Sequence, residues 1–197
     1  MGEGDLPNIA MNTIETERLV LRAYTENDFA AVHSYASRVE NVRYMPFGPN
    51  SEEETRAFIS MAIAKAGETP CDNVQYAVTL KSTGALIGGC SLALTGGGAE
   101  IGWMLHRDHW RQGYGTEMGK ALLTFGFDAL CLHRIVARCD AENHASYRVM
   151  EKIGMRREGL FLEARPASKG SDQKYGDELF YAILKDEWEA QKGKKRV

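Results

Sequence analysis

Eight residues, 110–117 (W-R-Q-G-Y-G-T-E), constrain this chain more than any others. They join a strand-like run at 100–105 (E-I-G-W-M-L) to a long segment with Met118, Ala121, Leu122, Phe125 and Ala129 at helical spacing. Gly113 and Gly115 let the backbone turn sharply and let a ligand approach with no side chain in the way. A helix that opens here presents unpaired N–H groups and the positive end of its dipole, which suits an anion such as a diphosphate. Arg111 could add a formal positive charge, and Gln112, Tyr114 and Thr116 complete the loop. The pattern is neither the phosphate-loop signature with its Lys nor a full dinucleotide fingerprint. By itself it reads equally well as a tight turn.

The elements around this loop follow from periodicity. Residues 18–22 (R-L-V-L-R) read as a short strand. Thr25 with Asp28 starts one helix, and Ser51 with Glu54 caps a second whose apolar face is Phe58, Ile59, Ala62 and Ile63. Between them the M-P-F-G-P-N stretch must be a loop. Val74, Tyr76, Val78 and Leu80 alternate as a half-buried strand, K-S-T-G turns into a second at 85–94, and Gly96–Gly98 turn into the third at 100–105. After the long helix come a strand at 134–139, a short helix at 143–153 stopped by Gly154, and closing strands around 156–162 and 178–184. The expected architecture is α+β: a mixed, mostly antiparallel sheet of about seven strands flanked by about four helices, with no doubly wound nucleotide fold. Residues 1–13 read as a flexible leader, 14–191 as one domain and 192–197 (K-G-K-K-R-V) as a basic tail.

Composition narrows the function classes. With 44% hydrophobic and 26% charged residues, 197 positions suffice for one well-packed domain. A net charge of -3 argues against a dedicated nucleic-acid binder. No apolar run reaches the roughly 18 residues a membrane span needs, and no secretory signal opens the chain. Cys71, Cys90, Cys131 and Cys139 lack metal spacing, and the five histidines form no ligand set, so free thiols, a cytoplasmic location and no metal are expected.

Taken in order, these segments resemble the GNAT superfamily of acyl-CoA-dependent N-acetyltransferases, especially its branch of ribosomal-protein N-terminal (Rim-type) acetyltransferases. The resemblance is carried by T-E-R-L-V-L-R at 16–22, E-I-G-W-M-L, W-R-Q-G-Y-G-T-E, N-H-A-S-Y-R-V-M-E-K-I-G-M at 143–155, and Gly176-Asp177-Glu178. It implies acetyl-CoA as co-substrate, a primary amine (a protein N-terminus or a small molecule) as acceptor, and direct attack on the thioester. One departure stands out: the family's loop usually begins with Arg or Gln and then Gly, where this chain has Trp110 and Arg111. A side chain at the second place restricts the backbone there.

Each chemical need has a candidate. Glu100, at the head of the strand leading into the loop, is the expected base or amine-binding group. Trp103 beside it would supply an apolar wall that raises its pKa. The resemblance implies that backbone groups at Trp103, Met104 and Leu105 hold the carrier's arm and the oxyanion. It also implies that Asn143 touches the carrier and that Ser146 assists the leaving thiolate. Asn143 reads equally as a helix N-cap. Tyr147 is a neighbouring alternative to Ser146 but points about 100° away on a helix. Cys139 reads as a buried strand residue rather than an acyl-carrying nucleophile. The acceptor is expected among Tyr44, Phe47 and Asp177, with Glu40 adding charge. An exposed edge strand near the C-terminus could support a homodimer. A non-catalytic acyl-CoA sensor and an RNA-associated protein remain as rival readings.

Overall fold

The computed structural model describes Ile9 and residues 11–194. Its eight strands are β1 (Ile14–Glu15), β2 (Leu19–Arg22), β3 (Asn73–Leu80), β4 (Leu86–Thr95), β5 (Gly98–Leu105), β6 (Arg134–Asp140), β7 (Arg156–Pro166) and β8 (Tyr175–Leu184). They form one sheet in the order β1-β2-β3-β4-β5-β6-β8-β7. Every neighbouring pair is antiparallel except β5 and β6, which run parallel. Six helices accompany them: α1 (Phe29–Ala36), α2 (Val39–Val42), α3 (Glu52–Ala66), α4 (Tyr114–Thr124), α5 (His144–Lys152) and α6 (Lys185–Lys194). The expected α+β fold with a mostly antiparallel sheet is observed.

Strand alternation sends side chains to two cores. On one face Val74, Tyr76, Val78, Leu92, Ile101, Ile135 and Ile183 pack under Met118 and Leu122 of α4 and Met150 of α5. On the other, Ala77 and Tyr24 meet Val32, Tyr35 and Ala36 of α1 and Ile59 and Ala62 of α3. α3 starts where the Ser51–Glu54 spacing puts it, with Ser51 Oγ accepting from Glu54 N and Glu54 accepting from Ser51 N. α5 ends in a Schellman cap: Gly154 takes φ +93°, Gly154 N donates to Glu151 O and Met155 N donates to Met150 O.

Five details correct the sequence reading. The sheet has eight strands rather than seven, because the two-residue β1 is too short to show periodicity. α2 and α6 raise the helix count to six. α6 is polar almost all round and is anchored by Trp188, which stacks on Phe127 at 6.0 Å. It takes in Lys192, expected to start a solvated tail, and Lys192 Nζ lies 2.8 Å from Asp128. The expected leader contains Ile9, which is buried and donates from its N–H to Cys71 O; the remainder of residues 1–10, and 195–197, fall outside the described residues. Finally, α4 continues into a π-helical stretch, Phe125–Ala129, where Leu130 N donates to Phe125 O. The wider turn rotates Phe127 into the core and leaves Ala129 exposed, so the simple 3.6-residue spacing fails there.

β5 and β6 are paired only at Ala99↔Ile135 and Glu100↔Val136, and part beyond that point. Gly98 permits this junction, since a Cβ there would lie 2.1 Å from Arg134 O. Gly98→Ala should therefore destabilise the protein by about 2–4 kcal/mol, measured by urea unfolding, whereas Gly96→Ala, with open space at that Cβ, should cost far less.

Candidate active site

The parting of β5 from β6 leaves one long edge of β5, residues 101–105, without a strand partner on that side. Its other edge is fully paired with β4 down to Gly88↔Leu105. At the mouth of the gap the chain makes a single 3-10 turn, Arg107–His109, and reaches the loop 110–113. Trp110 Nε1 donates to Leu105 O at 2.8 Å, stapling the loop to the end of β5. Gln112 Nε2 donates to Asp108 O at 2.9 Å. Gly113 is the N-cap of α4 at φ +85°, in left-handed backbone that favours glycine. Arg111 also adopts φ +59°, so the loop takes a glycine-like turn in spite of its side chain. The guanidinium of Arg111 is exposed and makes no ion pair among the described residues.

No side chain caps α4. The first intrahelical bond is Glu117 N to Gly113 O, so the N–H groups of Tyr114, Gly115 and Thr116 have no helical acceptor and point out of the first turn. Gly115 has a second role. A Cβ there would sit 3.3 Å from Val149 Cγ2, and one at Gly119 would sit 3.0 Å from Ile153 Cδ1. The glycine pair thus brings α4 close against α5.

The helix start is fixed from outside by residues the sequence reading passes over. Glu117 accepts from Thr16 Oγ1 (2.6 Å), Arg18 N (2.8 Å) and Arg18 Nε (2.7 Å). Arg18 Nη1 donates to Gln112 O, and its guanidinium lies 4.4 Å over the Tyr114 ring. Burial pushes the Glu117 carboxyl up, but the three hydrogen bonds and the Arg18 charge outweigh it and hold the pKa below the usual value. The strand entering β2 is therefore a clamp on the loop.

Glu100 sits at the point where the strands part, but its surroundings differ from expectation. Alternation along β5 sends Ile101, Trp103 and Leu105 to the α4–α5 face, whereas Met104 packs on the α1–α3 face. Glu100 shares Met104's side, so Trp103 is not its apolar wall. Its partner is Arg138 on β6, whose Nε and Nη2 donate to Oε1 (3.2 Å) and Oε2 (2.7 Å). Glu178 on β8 lies 3.7 Å from Arg138 Nη1. These three form a charge relay across three strands, and 38 residues of sequence separate Glu100 from Arg138.

At the head of α5, Asn143 Oδ1 accepts from Ser146 N at 3.1 Å, the N-cap role, with Nδ2 left as a donor. The Ser146 hydroxyl meets the Cys139 thiol at the end of β6, and burial pushes that thiol up to about 11. A thiol so hard to ionise is a poor nucleophile, which removes an acyl-cysteine route. The Tyr147 ring stands 5.4 Å from His144 and packs on the α4–α5 core.

On the opposite face, the segment 43–47 is tied down by the β7–β8 connection. Arg165 Nη2 donates to Tyr44 O (2.7 Å), while Lys169 Nζ donates to Phe47 O (2.6 Å) and Met45 O (3.1 Å). Arg165 also pairs with Asp140 at 3.0 Å, with side chains only 11% and 4% exposed. Asp177 Oδ1 accepts from Glu163 N. Tyr44, Phe47 and Asp177 thus belong to segments gathered around one end of the sheet. Glu40 does not: it faces Arg107 at 3.7 Å, next to the glycine loop.

A sheet parted beside an uncapped, glycine-started helix defines a transferase that takes its acyl group from an anionic carrier. The chain belongs to the GNAT acetyltransferase family, since the family model described as "Acetyltransferase (GNAT) domain" matches residues 18–156. It is 39% identical to the uncharacterized N-acetyltransferase YnaD of Bacillus subtilis (strain 168), over 89% of this chain and 98% of that one. Among solved structures, a GNAT-family acetyltransferase from Bacillus anthracis is 37% identical with a TM-score of 0.78, covering 89% of this chain and 99% of that one. RimL, a ribosomal L7/L12 alpha-N-protein acetyltransferase solved with coenzyme A, shares the fold at 24% identity and a TM-score of 0.75, over 89% of this chain and 99% of that one. The protein is an acetyltransferase, and its uncapped α4 amides and free β5 edge fit the acetyl-CoA that this family uses. Among the described residues no helix is long and apolar enough to cross a membrane.

Glu117 supplies a pH test of the loop's clamp. Its folded pKa is lowered, so its stabilisation is fully present above the ordinary carboxyl value of 4.5 and is lost as pH falls through the folded value. Glu117→Gln should cost about 1–3 kcal/mol at pH 7, and the difference from wild type should shrink steadily in urea titrations taken into that acid range.

Proposed function

We propose that this enzyme acetylates a primary amine by direct attack on the acetyl-CoA thioester, with Glu100 as the proton acceptor. The observation that carries the reading is the placement of Glu100 at the parting of β5 and β6, on the strand whose free edge leads to the uncapped start of α4. The thioester supplies a carbonyl open to attack and a thiolate that leaves readily, because alkyl thiols ionise near ~8.5.

The chain's residues divide the remaining work. Amides of Tyr114, Gly115 and Thr116, with Gln112 and Gly113 before them, hold the diphosphate, and Arg111 adds charge from the rim. The free edge at Trp103, Met104 and Leu105 takes the carrier's arm as an extra strand and offers N–H groups to the developing oxyanion. Glu100 receives the amine proton directly or through one water. Arg138 keeps Glu100 ionised and oriented, and Glu178 stands ready to retain Arg138 when an incoming ammonium takes over one carboxylate oxygen. Asn143 Nδ2 donates towards the carrier while its carbonyl caps α5. The Ser146 hydroxyl, on the first turn of the same helix, assists the departing sulfur in a dipole field that already favours negative charge. Tyr44, Phe47 and Asp177 form the acceptor side. The Rim-type reading, with a protein N-terminal amine as acceptor, rests on the 143–155 segment.

Thiol release with a panel of primary amines and N-terminal peptides tests this reading, paired with calorimetric titration of acetyl-CoA. Glu100→Gln should lower kcat/KM by about a hundredfold while acetyl-CoA binds with undiminished affinity. Ser146→Ala should cost only roughly tenfold. Full activity in Glu100→Gln would remove that carboxylate from the chemistry.

A further inference from the structure

Beyond the Glu100–Arg138–Glu178 relay, β6 runs on to Asp140 and into a cavity of about 500 Å³. Its walls come from the end of β6, the start of β8 and the β7–β8 connection. Four carboxylates line it (Asp140, Glu142, Glu163 and Asp177) against a single ammonium, Lys174. Asp140 is neutralised by Arg165, but Glu142, Glu163 and Asp177 make no ion pair among the described residues. Lys174 does not answer them either; its ammonium lies 5.2 Å over the Tyr175 ring.

The acidic groups are held in position by the chain's own amides. Glu142 N donates to Asp140 Oδ1, and Glu163 N donates to Asp177 Oδ1, each at 2.9 Å. Glu163 itself stands at φ +49°, left-handed backbone that a Glu rarely adopts, where the β7–β8 register shifts. An independent feature lies in the same wall. Ser168 is only 8% exposed and lines the cavity, yet its hydroxyl has no hydrogen-bond partner among the described residues. A buried hydroxyl without a partner is costly in a protein that gains nothing from it. A ligand N–H donor would satisfy it, and the surrounding charge selects a cationic one.

We infer that this cavity is the second-charge subsite of the acceptor, and that the acceptor is a small aliphatic α,ω-diamine acetylated at its other end. This rests on the reading of Glu100 as the group that meets the reacting amine. Arg138, which grips Glu100, and Asp140, at the cavity, are two residues apart on the same face of β6, a step of about 7 Å. That step matches a diamine with a chain of four or five carbons. One end reaches the parted strands. The other, still protonated, lies among Glu142, Glu163 and Asp177 with an N–H on Ser168. A monoamine of equal length leaves the carboxylates unanswered and Ser168 unpaired. The transfer balances as for any amine: the new amide N–C bond forms as the thioester C–S bond breaks, one proton leaves the reacting nitrogen, and the second ammonium keeps its protons.

Two measurements test the subsite, one with turnover and one without. In thiol release, the four-carbon and five-carbon diamines should exceed the matching monoamines in kcat/KM by at least about tenfold. Glu163→Gln and Ser168→Ala should each shrink that ratio several-fold. In calorimetry with the protein saturated by coenzyme A, the diamines should bind measurably more tightly than the monoamines, and both substitutions should weaken them. Ser168→Ala removes a hydroxyl with no partner, so it should leave the thermal midpoint unchanged or raise it while diamine binding falls, a combination that a purely structural serine would not show. Equal binding of diamine and monoamine, or a preference untouched by both substitutions, overturns the subsite. Better binding and turnover of peptides with a basic second residue than of any diamine overturns the choice of acceptor. Diamine binding that depends on Glu163 without thiol release from any amine would sink the transfer reading and leave the subsite standing; thiol release equal for diamines and monoamines would do the reverse.

Discussion

Two residue pairs, Ala99↔Ile135 and Glu100↔Val136, join the two halves of the sheet, and every feature of the site follows from how little of β5 and β6 they engage. Parallel neighbours normally continue side by side, because each further pair satisfies more backbone groups. Here β6 instead commits to β8 along its whole length, from Arg134↔Leu184 to Asp140↔Glu178. β5 commits equally to β4. The edge of β5 that faces the gap is left with unanswered backbone groups, a state that a soluble protein tolerates where water or a ligand completes the ladder. Gly98 makes the junction possible and the uncapped start of α4 lies beyond its far end. A free strand edge and a free helix terminus therefore border one gap.

The other face of the sheet is organised by charge. Glu100, Arg138 and Glu178 span three strands, and Asp140 with Arg165 carries the pattern to the acceptor loop. A buried pair such as Arg165–Asp140 must overcome the desolvation of both ions, and it does so only with further hydrogen bonds. Arg165 has one, to Tyr44 O, and Asp140 has one, from Glu142 N. The pair thus fixes loop 43–47 and the β6–α5 corner relative to each other. Lys169 repeats the arrangement one turn further along by binding the carbonyls of Met45 and Phe47, and burial beside the Arg165 charge pulls its pKa down. The acceptor wall is held by cations that donate to backbone oxygens, while the carboxylates beyond it stay unpaired.

Local signals in the sequence were enough for much of this architecture. The Ser51–Glu54 cap, the alternating β3, the Gly96–Gly97 turn and the Gly154 stop each depend on residues within a few positions of one another, and each was legible. So was the glycine loop with its helix. What could not be read depends on long-range partners. Arg18 meets Glu117 across 99 positions, and Arg138 meets Glu100 across 38. Spacing along one chain carries no trace of either pairing. Trp103 was misplaced as a neighbour of Glu100 although the period of two, applied strictly, sends them to opposite faces. α6 escaped because Trp188 is almost its only apolar anchor, and the π-helical turn after Thr124 breaks the very repeat by which helices are recognised.

Arg111 shows how tertiary contacts override a local preference. A non-glycine residue in left-handed backbone costs roughly 1–2 kcal/mol, and the family resemblance alone would lead one to expect a different turn at this position. The observed φ of +59° is enforced from both sides. Upstream, Trp110 is stapled to Leu105 O; downstream, Arg18 holds Gln112 O and stacks on Tyr114. With both flanks fixed, the peptide between them has one path to Gly113, and the arginine follows it at the cost of some strain. In return its side chain stands exposed beside three free amides, where a formal charge adds to their dipoles. The substitution of Arg for Gly leaves the cradle's backbone shape intact and changes its electrostatics, which is the difference that matters to a ligand carrying two phosphates.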